Sequence, residues 1–125
     1  MFELTKQFRF EAAHTLHREI NAEPSRRIHG HSYRAEVTLR GQAQPESGMV
    51  LDCSFFEKAL EVARDGLDHR FLDEIPDLGP GTIENLSAWI WCKLYLSCPN
   101  LVRVTVYRDS TGDSCSYFGP KGHLA

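Results

Sequence analysis

The feature that most constrains this chain is the alternation of apolar and polar residues over its first 40 positions. Apolar side chains occupy the even positions from Phe2 to Ala12, apart from Lys6, and the odd positions from Tyr33 to Leu39. Because successive side chains of a strand point to opposite faces, each segment is predicted to be a β-strand with one dry face. Neighbouring strands in sequence usually pair, so we expect the two to pair antiparallel.

Three histidines continue the rows of apolar side chains on the two predicted strands. His14 follows Ala12 in the first row, and His29 and His31 precede Tyr33 in the second. Antiparallel pairing sets the end of the first strand beside the start of the second, so the three imidazoles are expected to converge. Three neutral imidazoles with an open fourth position form a recognised catalytic zinc site. The alternative is that each histidine is an ordinary core or boundary residue and binds no metal.

The remaining sequence predicts two helices followed by two strands. Asp52 is an N-cap candidate for a helix that ends at Gly66, and Thr82 for a second helix that is apolar on nearly all sides. Val102 to Tyr107 and Ser114 to Phe118 predict the last strands. The fold class is therefore α+β, a four-stranded antiparallel sheet with two helices on one face. Such an apolar second helix favours burial at a subunit interface.

Composition narrows the classes of function. The chain has 125 residues, 42% of them hydrophobic, and a net charge of -3, which predicts one globular domain over residues 1–125. Its basic residues are scattered, which disfavours a nucleic-acid partner. No stretch reaches the roughly 20 apolar residues of a membrane helix, and residues 1–20 lack a secretory apolar region, so we expect a cytoplasmic protein without a membrane partner.

Four short motifs, in this order along the chain, resemble those of a known protein family. The segments are Phe10-Glu11-Ala12-Ala13-His14, His29-Gly30-His31, Leu67-Asp68-His69 and Thr82-Ile83-Glu84-Asn85-Leu86. Together they resemble the 6-pyruvoyltetrahydropterin synthase and 6-carboxytetrahydropterin synthase family, over about Phe8 to Tyr107. The resemblance implies the tunnel fold, in which three subunits close their sheets into a barrel and two trimers stack as a homohexamer.

The same resemblance implies site roles. His14, His29 and His31 match the zinc ligands, and Asp68 with His69 match the pair that handles protons. Thr82, Glu84 and Asn85 match a substrate-contact segment, although Glu84 can equally be a first-turn charge favoured by the helix dipole. The implied substrate is a reduced pterin such as 7,8-dihydroneopterin triphosphate, and the implied reaction is that of a zinc-dependent lyase.

One departure from the family concerns the catalytic base. The family's catalytic cysteine lies four residues before the first histidine of the HxH motif, and this chain has Ser25 there. A thiol with a reference pKa of about 8.5 is partly ionised near neutrality, whereas an alcohol is a poor base unless a neighbour activates it. Glu23 offers a carboxylate nearby, with a solvated loop charge as the simpler interpretation.

A second departure concerns pterin recognition. The glutamate that accepts hydrogen bonds from the pterin edge is matched by Arg108, which has no acceptor, and Asp109 follows. Asp109 can take that role only through a bulge, because adjacent strand residues face opposite sides. We therefore expect little 6-pyruvoyltetrahydropterin synthase turnover. The main hypothesis is a zinc-dependent lyase on a reduced pterin or related heterocycle, and the alternative is a zinc-binding protein that holds such a ligand without turnover.

Overall fold

A computed structural model describes residues 1–16 and 22–121 of the chain. Its strands and helices, in chain order, are β1 (Phe2–His14), α1 (Ala22–Arg26), β2 (His29–Gly41), α2 (Cys53–Asp65), β3 (Arg70–Phe71), α3 (Ile83–Leu94), β4 (Leu101–Arg108) and β5 (Asp113–Tyr117). Within these residues no helix is both long and apolar enough to cross a membrane.

The sheet has five strands in the order β3-β1-β2-β4-β5. β1 and β2 pair antiparallel along their whole length, with His14 opposite His29, and β4 and β5 continue the antiparallel arrangement. The predicted α+β fold with four long strands is thus confirmed. The short strand β3 was not predicted, and it pairs parallel to β1 at Ala12 and Ala13, which makes the sheet mixed.

Both long helices begin at the predicted caps. The Asp52 carboxylate accepts a hydrogen bond from the Phe55 N–H at 3.0 Å, and the Thr82 hydroxyl accepts one from the Asn85 N–H at 3.2 Å. Their apolar faces join the inward rows of β1, β2 and β4 in one core. The largest fully buried side chains of that core include Phe10, Tyr33, Leu39, Phe56, Leu67, Leu72, Leu86, Ile90 and Leu94.

Gly66 follows α2 as predicted, although its backbone is right-handed, with a φ of -74°. A left-handed cap is therefore not the reason for glycine at this position. A Cβ atom on Gly66 would lie 2.7 Å from the Trp89 ring, which is too close for a side chain. The glycine lets α3 bring Trp89 against the end of α2.

The prediction of one continuous dry face on β1 is wrong at the start of the strand. Phe8, Phe10, Ala12 and His14 are buried, whereas Phe2 is 57% and Leu4 37% exposed. Among the described residues β3 covers the outer edge of β1 only at Ala12 and Ala13. The first half of β1 therefore extends past the core of this subunit with one open edge.

Candidate functional site

Three imidazoles meet where β1 ends and β2 begins. His14, His29 and His31 each offer one ring nitrogen, and these nitrogens all lie within 4.8 Å of one another. The ring centroids are 4.5 Å apart for His14 and His29, 4.9 Å for His14 and His31, and 5.1 Å for His29 and His31. The antiparallel register and the shared strand face produce this cluster, as the two-residue spacing indicated.

Backbone carbonyls orient two of the three rings. Nδ1 of His14 lies 2.7 Å from the Gly81 carbonyl oxygen, and Nδ1 of His29 lies 2.8 Å from that of Arg27. A carbonyl only accepts, so each Nδ1 carries the proton and each Nε2 keeps its lone pair. Nε2 of His14 is buried and has no hydrogen-bond partner among the described residues. Metal coordination would satisfy this buried lone pair.

Burial favours the neutral form of two of the three rings, His14 and His31. Desolvation lowers the pKa of His14 and lowers the pKa of His31 to about 4, and each of these rings also feels the charge of neighbouring imidazoles. Both rings are therefore neutral at physiological pH, which is the state that binds metals. Three converging imidazole nitrogens suit a zinc ion, so the residues present fit the metal that the sequence implied.

Gly81 is a site residue that the sequence did not reveal. It is buried, and a Cβ atom there would lie 3.2 Å from Cβ of His14 and 3.1 Å from Cβ of Leu72. A side chain here would push Leu72 and His14 apart by a few tenths of an ångström, so glycine suits the close approach by which the Gly81 carbonyl holds the His14 ring. Its one sequence signal is its position directly before the Thr82 cap, which does not distinguish it from a loop glycine.

Asp68 and His69 form a hydrogen-bonded pair, which sequence adjacency alone did not establish. Oδ2 of Asp68 lies 2.9 Å from Nδ1 of His69 and 3.0 Å from a guanidinium nitrogen of Arg64, while Oδ1 accepts from the Glu11 N–H at 2.8 Å. The Glu11 bond lowers the pKa of Asp68, and His69 and Arg64 lower it further. Asp68 is thus a carboxylate that fixes Nδ1 of His69 as the donor and leaves Nε2 free.

The backbone of His69 is held in an unusual conformation beside β1. Its φ of 58° lies in the left-handed region, and its N–H donates to the Glu11 carbonyl at 2.6 Å. The ring itself is 78% exposed. His69 and His31 line the same open cavity of about 490 Å³, so His31 is the member of the histidine cluster that reaches this space beside His69.

The predicted substrate-contact segment lies next to the histidine cluster, and its residues also stabilise the start of α3. Thr82 caps α3, and Nδ2 of Asn85 donates to the Pro80 carbonyl at 2.9 Å. Glu84 is exposed in the first turn of α3. Since the Gly81 carbonyl holds the His14 ring, the segment adjoins the histidine cluster through its backbone.

The two candidates for the altered base lie in α1. The Glu23 carboxylate is 79% exposed and lies 3.7 Å from the Arg27 guanidinium, an i,i+4 pair on the surface. The side chain of Ser25 lies outside the described part of the structure. The described structure thus places the Glu23 carboxylate in solvent.

Arg108 and Asp109 lie on opposite faces of the sheet. Arg108 donates from Nε to the Thr111 hydroxyl at 2.9 Å and from Nη2 to Asp113 at 2.7 Å. Asp109 accepts two bonds of 3.2 Å from Arg34. The register shift between β2 and β4 lies at Thr38 and Leu39, not near Asp109. The bulge that would turn Asp109 toward the histidines is absent from the described pairing.

Comparison with known proteins gives one family. Residues 3–120 match the family model described as 6-pyruvoyl tetrahydropterin synthase. The chain is 36% identical to 6-carboxy-5,6,7,8-tetrahydropterin synthase of Synechocystis sp., covering 97% of this chain and 96% of that protein. It is 32% identical to 6-pyruvoyl tetrahydrobiopterin synthase of Drosophila melanogaster, covering 94% of this chain and 79% of that protein.

Solved structures show the same fold. The Caenorhabditis elegans 6-pyruvoyl tetrahydropterin synthase superposes with a TM-score of 0.80 at 28% identity, over 94% of this chain and 95% of that one. A Plasmodium vivax 6-pyruvoyltetrahydropterin synthase, solved as a mutant in which a catalytic glutamate is replaced by alanine, gives a TM-score of 0.71 at 19% identity, over 94% and 98%.

Proposed function

Because the chain belongs to the 6-pyruvoyl tetrahydropterin synthase family, we propose that it is a zinc-dependent lyase acting on a reduced pterin. The observation that carries this proposal is the cluster of three imidazoles around the buried, unpartnered Nε2 of His14. His69, which is hydrogen-bonded to Asp68, lines the same cavity as His31, and this supports a proton-transfer role for the pair.

The chain's own residues have separate roles in this reaction. His14, His29 and His31 would hold the zinc ion, which when bound supplies Lewis acidity that eases removal of a hydrogen next to a substrate hydroxyl. Nε2 of His69 takes or returns a proton at the cavity surface, and Asp68 stabilises the imidazolium that forms. Thr82, Glu84 and Asn85 are proposed to border the substrate.

The catalytic base is the unusual part of this proposal. Ser25 lacks the thiol of the family motif, so we assign the first proton abstraction to His69 or to Glu23. A glutamate serves as a catalytic residue in the Plasmodium vivax protein by its description, which supports Glu23 as the second choice. Glu23 is surface-exposed here and lies beside Arg27.

The proposed substrate is 7,8-dihydroneopterin triphosphate or a related reduced heterocycle, and the proposed assembly is a cytoplasmic homohexamer. The experiment is a turnover screen of zinc-loaded protein against dihydroneopterin triphosphate and its dephosphorylated relatives, with His31→Ala as the control. We expect conversion of at least one compound by the wild type and none by the variant. Conversion of none of the compounds by a zinc-loaded protein that binds them would overturn the lyase proposal.

The step to the 6-pyruvoyl product is tested separately with Ser25→Cys, Arg108→Glu and the double variant. If only the base is missing, Ser25→Cys alone should restore that product, whereas altered recognition requires both changes. Strong wild-type formation of the 6-pyruvoyl product would contradict the expectation drawn from Ser25 and Arg108.

A second function, ligand binding without turnover, is favoured by the joint presence of Ser25 and Arg108 where the family pattern has a thiol and an acceptor. Equilibrium binding of a reduced pterin, measured beside the turnover screen, distinguishes the two. Tight binding with no product in any reaction would support the binding protein.

A further inference from the structure

Arg108 lies on the histidine face of the sheet, one strand away from the cluster. Arg34 of β2 pairs with Tyr107 of β4, so the antiparallel register sets Tyr33 opposite Arg108. Tyr33 is two residues from His31 and stands in the same row of β2. The Arg108 side chain is 19% exposed, which makes it a largely covered cation near the candidate metal centre.

The Arg108 guanidinium and the Tyr33 hydroxyl lie together, and each has a hydrogen-bond donor that no acceptor in the described structure uses. Arg108 commits Nε to Thr111 and Nη2 to Asp113, which leaves the Nη1 donors outside those bonds. The Tyr33 hydroxyl is buried and finds no acceptor for its proton among the described residues. Arg108 interacts with that hydroxyl and, being donor-only, cannot accept its proton. A ligand oxygen between them would satisfy both donors.

The charge of Arg108 reaches the histidine cluster. The guanidinium is near enough for its charge to act on both the His14 and the His31 rings. Asp113 is its direct counter-ion, and Asp73 acts in the opposite sense on His14. Asp109 lies on the other face of the sheet with Arg34 and does not neutralise it.

We propose that Arg108 is a specificity residue that binds an anionic oxygen group of the ligand, a carboxylate or a phosphate, with the Tyr33 hydroxyl as a second donor. Guanidinium groups bind both kinds of oxyanion through paired hydrogen bonds. The inference rests on the proposed function in one respect, namely that the rest of the ligand is a pterin. It implies that a substrate with an acidic substituent is preferred to one that presents amino groups to Arg108.

The experiment compares two fluorescent probes, pterin-6-carboxylate and uncharged 6-hydroxymethylpterin, by equilibrium titration of the zinc-loaded protein. For Arg108→Gln we expect the carboxylate probe to bind roughly 10-fold to 100-fold more weakly, the range for a lost charge-assisted hydrogen bond, and the neutral probe to change little. Arg103→Gln is the matched control, because Arg103 is on the same strand but donates to Thr38 on the opposite face. Its affinities should equal those of the wild type.

Arg108 also fastens the β4–β5 turn, so a structural effect must be separated from recognition. Asp113→Asn breaks the same ion pair and keeps the cation. We expect Asp113→Asn to bind the carboxylate probe at least as tightly as the wild type, because the guanidinium loses its counter-ion. A loss of carboxylate binding in Asp113→Asn equal to that in Arg108→Gln would overturn the proposal.

A failure of the proposed pterin function can be distinguished from a failure of the Arg108 proposal. If neither probe binds the wild type, the proposed pterin function fails, and inorganic phosphate binding followed by ³¹P line broadening tests Arg108 alone. Phosphate binding that is lost in Arg108→Gln and kept in Arg103→Gln would support the anion site for another ligand. The anion-site proposal would be overturned if phosphate does not bind, or if Arg108→Gln leaves phosphate binding unchanged.

Discussion

At the residue scale, burial keeps the His14 and His31 rings of the histidine cluster neutral. His31 has a pKa lowered to about 4 and that of His14 is also lowered, both chiefly by burial. A group whose folded pKa is depressed takes up its proton more readily in the unfolded chain. Its contribution to stability is therefore complete above the unfolded pKa of about 6.5 and declines as the pH falls.

This gives a prediction for the metal-free protein. Its melting temperature should decrease from pH 6.5 toward about pH 4, where His31 of the folded protein becomes protonated. The measurement is thermal unfolding across that range with a chelator present. His31→Gln removes one titrating ring and should flatten the decrease. An equal slope in the variant would show that His31 is not responsible.

Asp68 provides a second prediction at this scale. Asp68→Asn keeps the shape but removes the charge that orients and stabilises the His69 ring, so turnover of an accepted pterin should fall at least about 100-fold. Zinc content should remain at the wild-type level, because Asp68 is bonded to His69, Arg64 and Glu11 and not to a ligand of the cluster. Full turnover by the variant would remove Asp68 from the mechanism.

At the element scale, the connection between the 3₁₀ turn Leu72–Glu74 and α3 supports the histidine cluster. Gly81→Ala would place a Cβ atom 3.2 Å from His14 and 3.1 Å from Leu72. We expect a loss of about 1 to 3 kcal/mol in the free energy of unfolding and weaker zinc binding. Chemical denaturation and metal titration measure the two effects.

The control for that substitution is Gly30→Ala. Gly30 stands between two of the histidines, but its added Cβ would meet only the Ala12 carbonyl at an ordinary 3.5 Å. Equal losses in both alanine variants would contradict the explanation by close approach of Gly81 to His14.

Thr82 tests whether the substrate-contact segment acts through capping. Thr82→Ala should lower the free energy of unfolding by about 1 kcal/mol, since the cap bond to Asn85 is lost. Thr82→Ser keeps the hydroxyl and should recover most of that loss. If pterin affinity falls in the serine variant while stability recovers, the Thr82 side chain has a binding role beyond the cap.

The elements that could be predicted from sequence were those with a period or a cap of their own. β1 and β2 alternate over many residues, and Asp52 and Thr82 precede apolar stripes, so local patterns were sufficient. β3 has two residues and exists only because it pairs with β1. Gly81 and the left-handed His69 depend on contacts distant in the chain, which no single-sequence pattern records. Exposure of Phe2 and Leu4 has the same origin, because coverage of a strand is decided by the whole fold.

At the scale of the whole molecule, the open edge of β1 and its exposed Phe2 and Leu4 favour association. An unpaired strand edge is a site for pairing with another chain, and closing a sheet into a barrel removes it. We predict a hexamer by sedimentation velocity at micromolar concentration. Leu4→Lys should weaken assembly and leave the fold of the subunit intact. A well-folded wild-type monomer would contradict the proposed assembly.

The metal centre is the claim on which the rest of the proposed mechanism depends, and metal analysis of purified protein tests it most directly. We predict one zinc ion per chain in the wild type and in His69→Ala, whose ring belongs to the proton-transfer pair. Zinc should be lost from His14→Ala, His29→Ala and His31→Ala. Zinc retained at full stoichiometry in those three variants, or absent from zinc-supplied wild-type protein, would contradict the account.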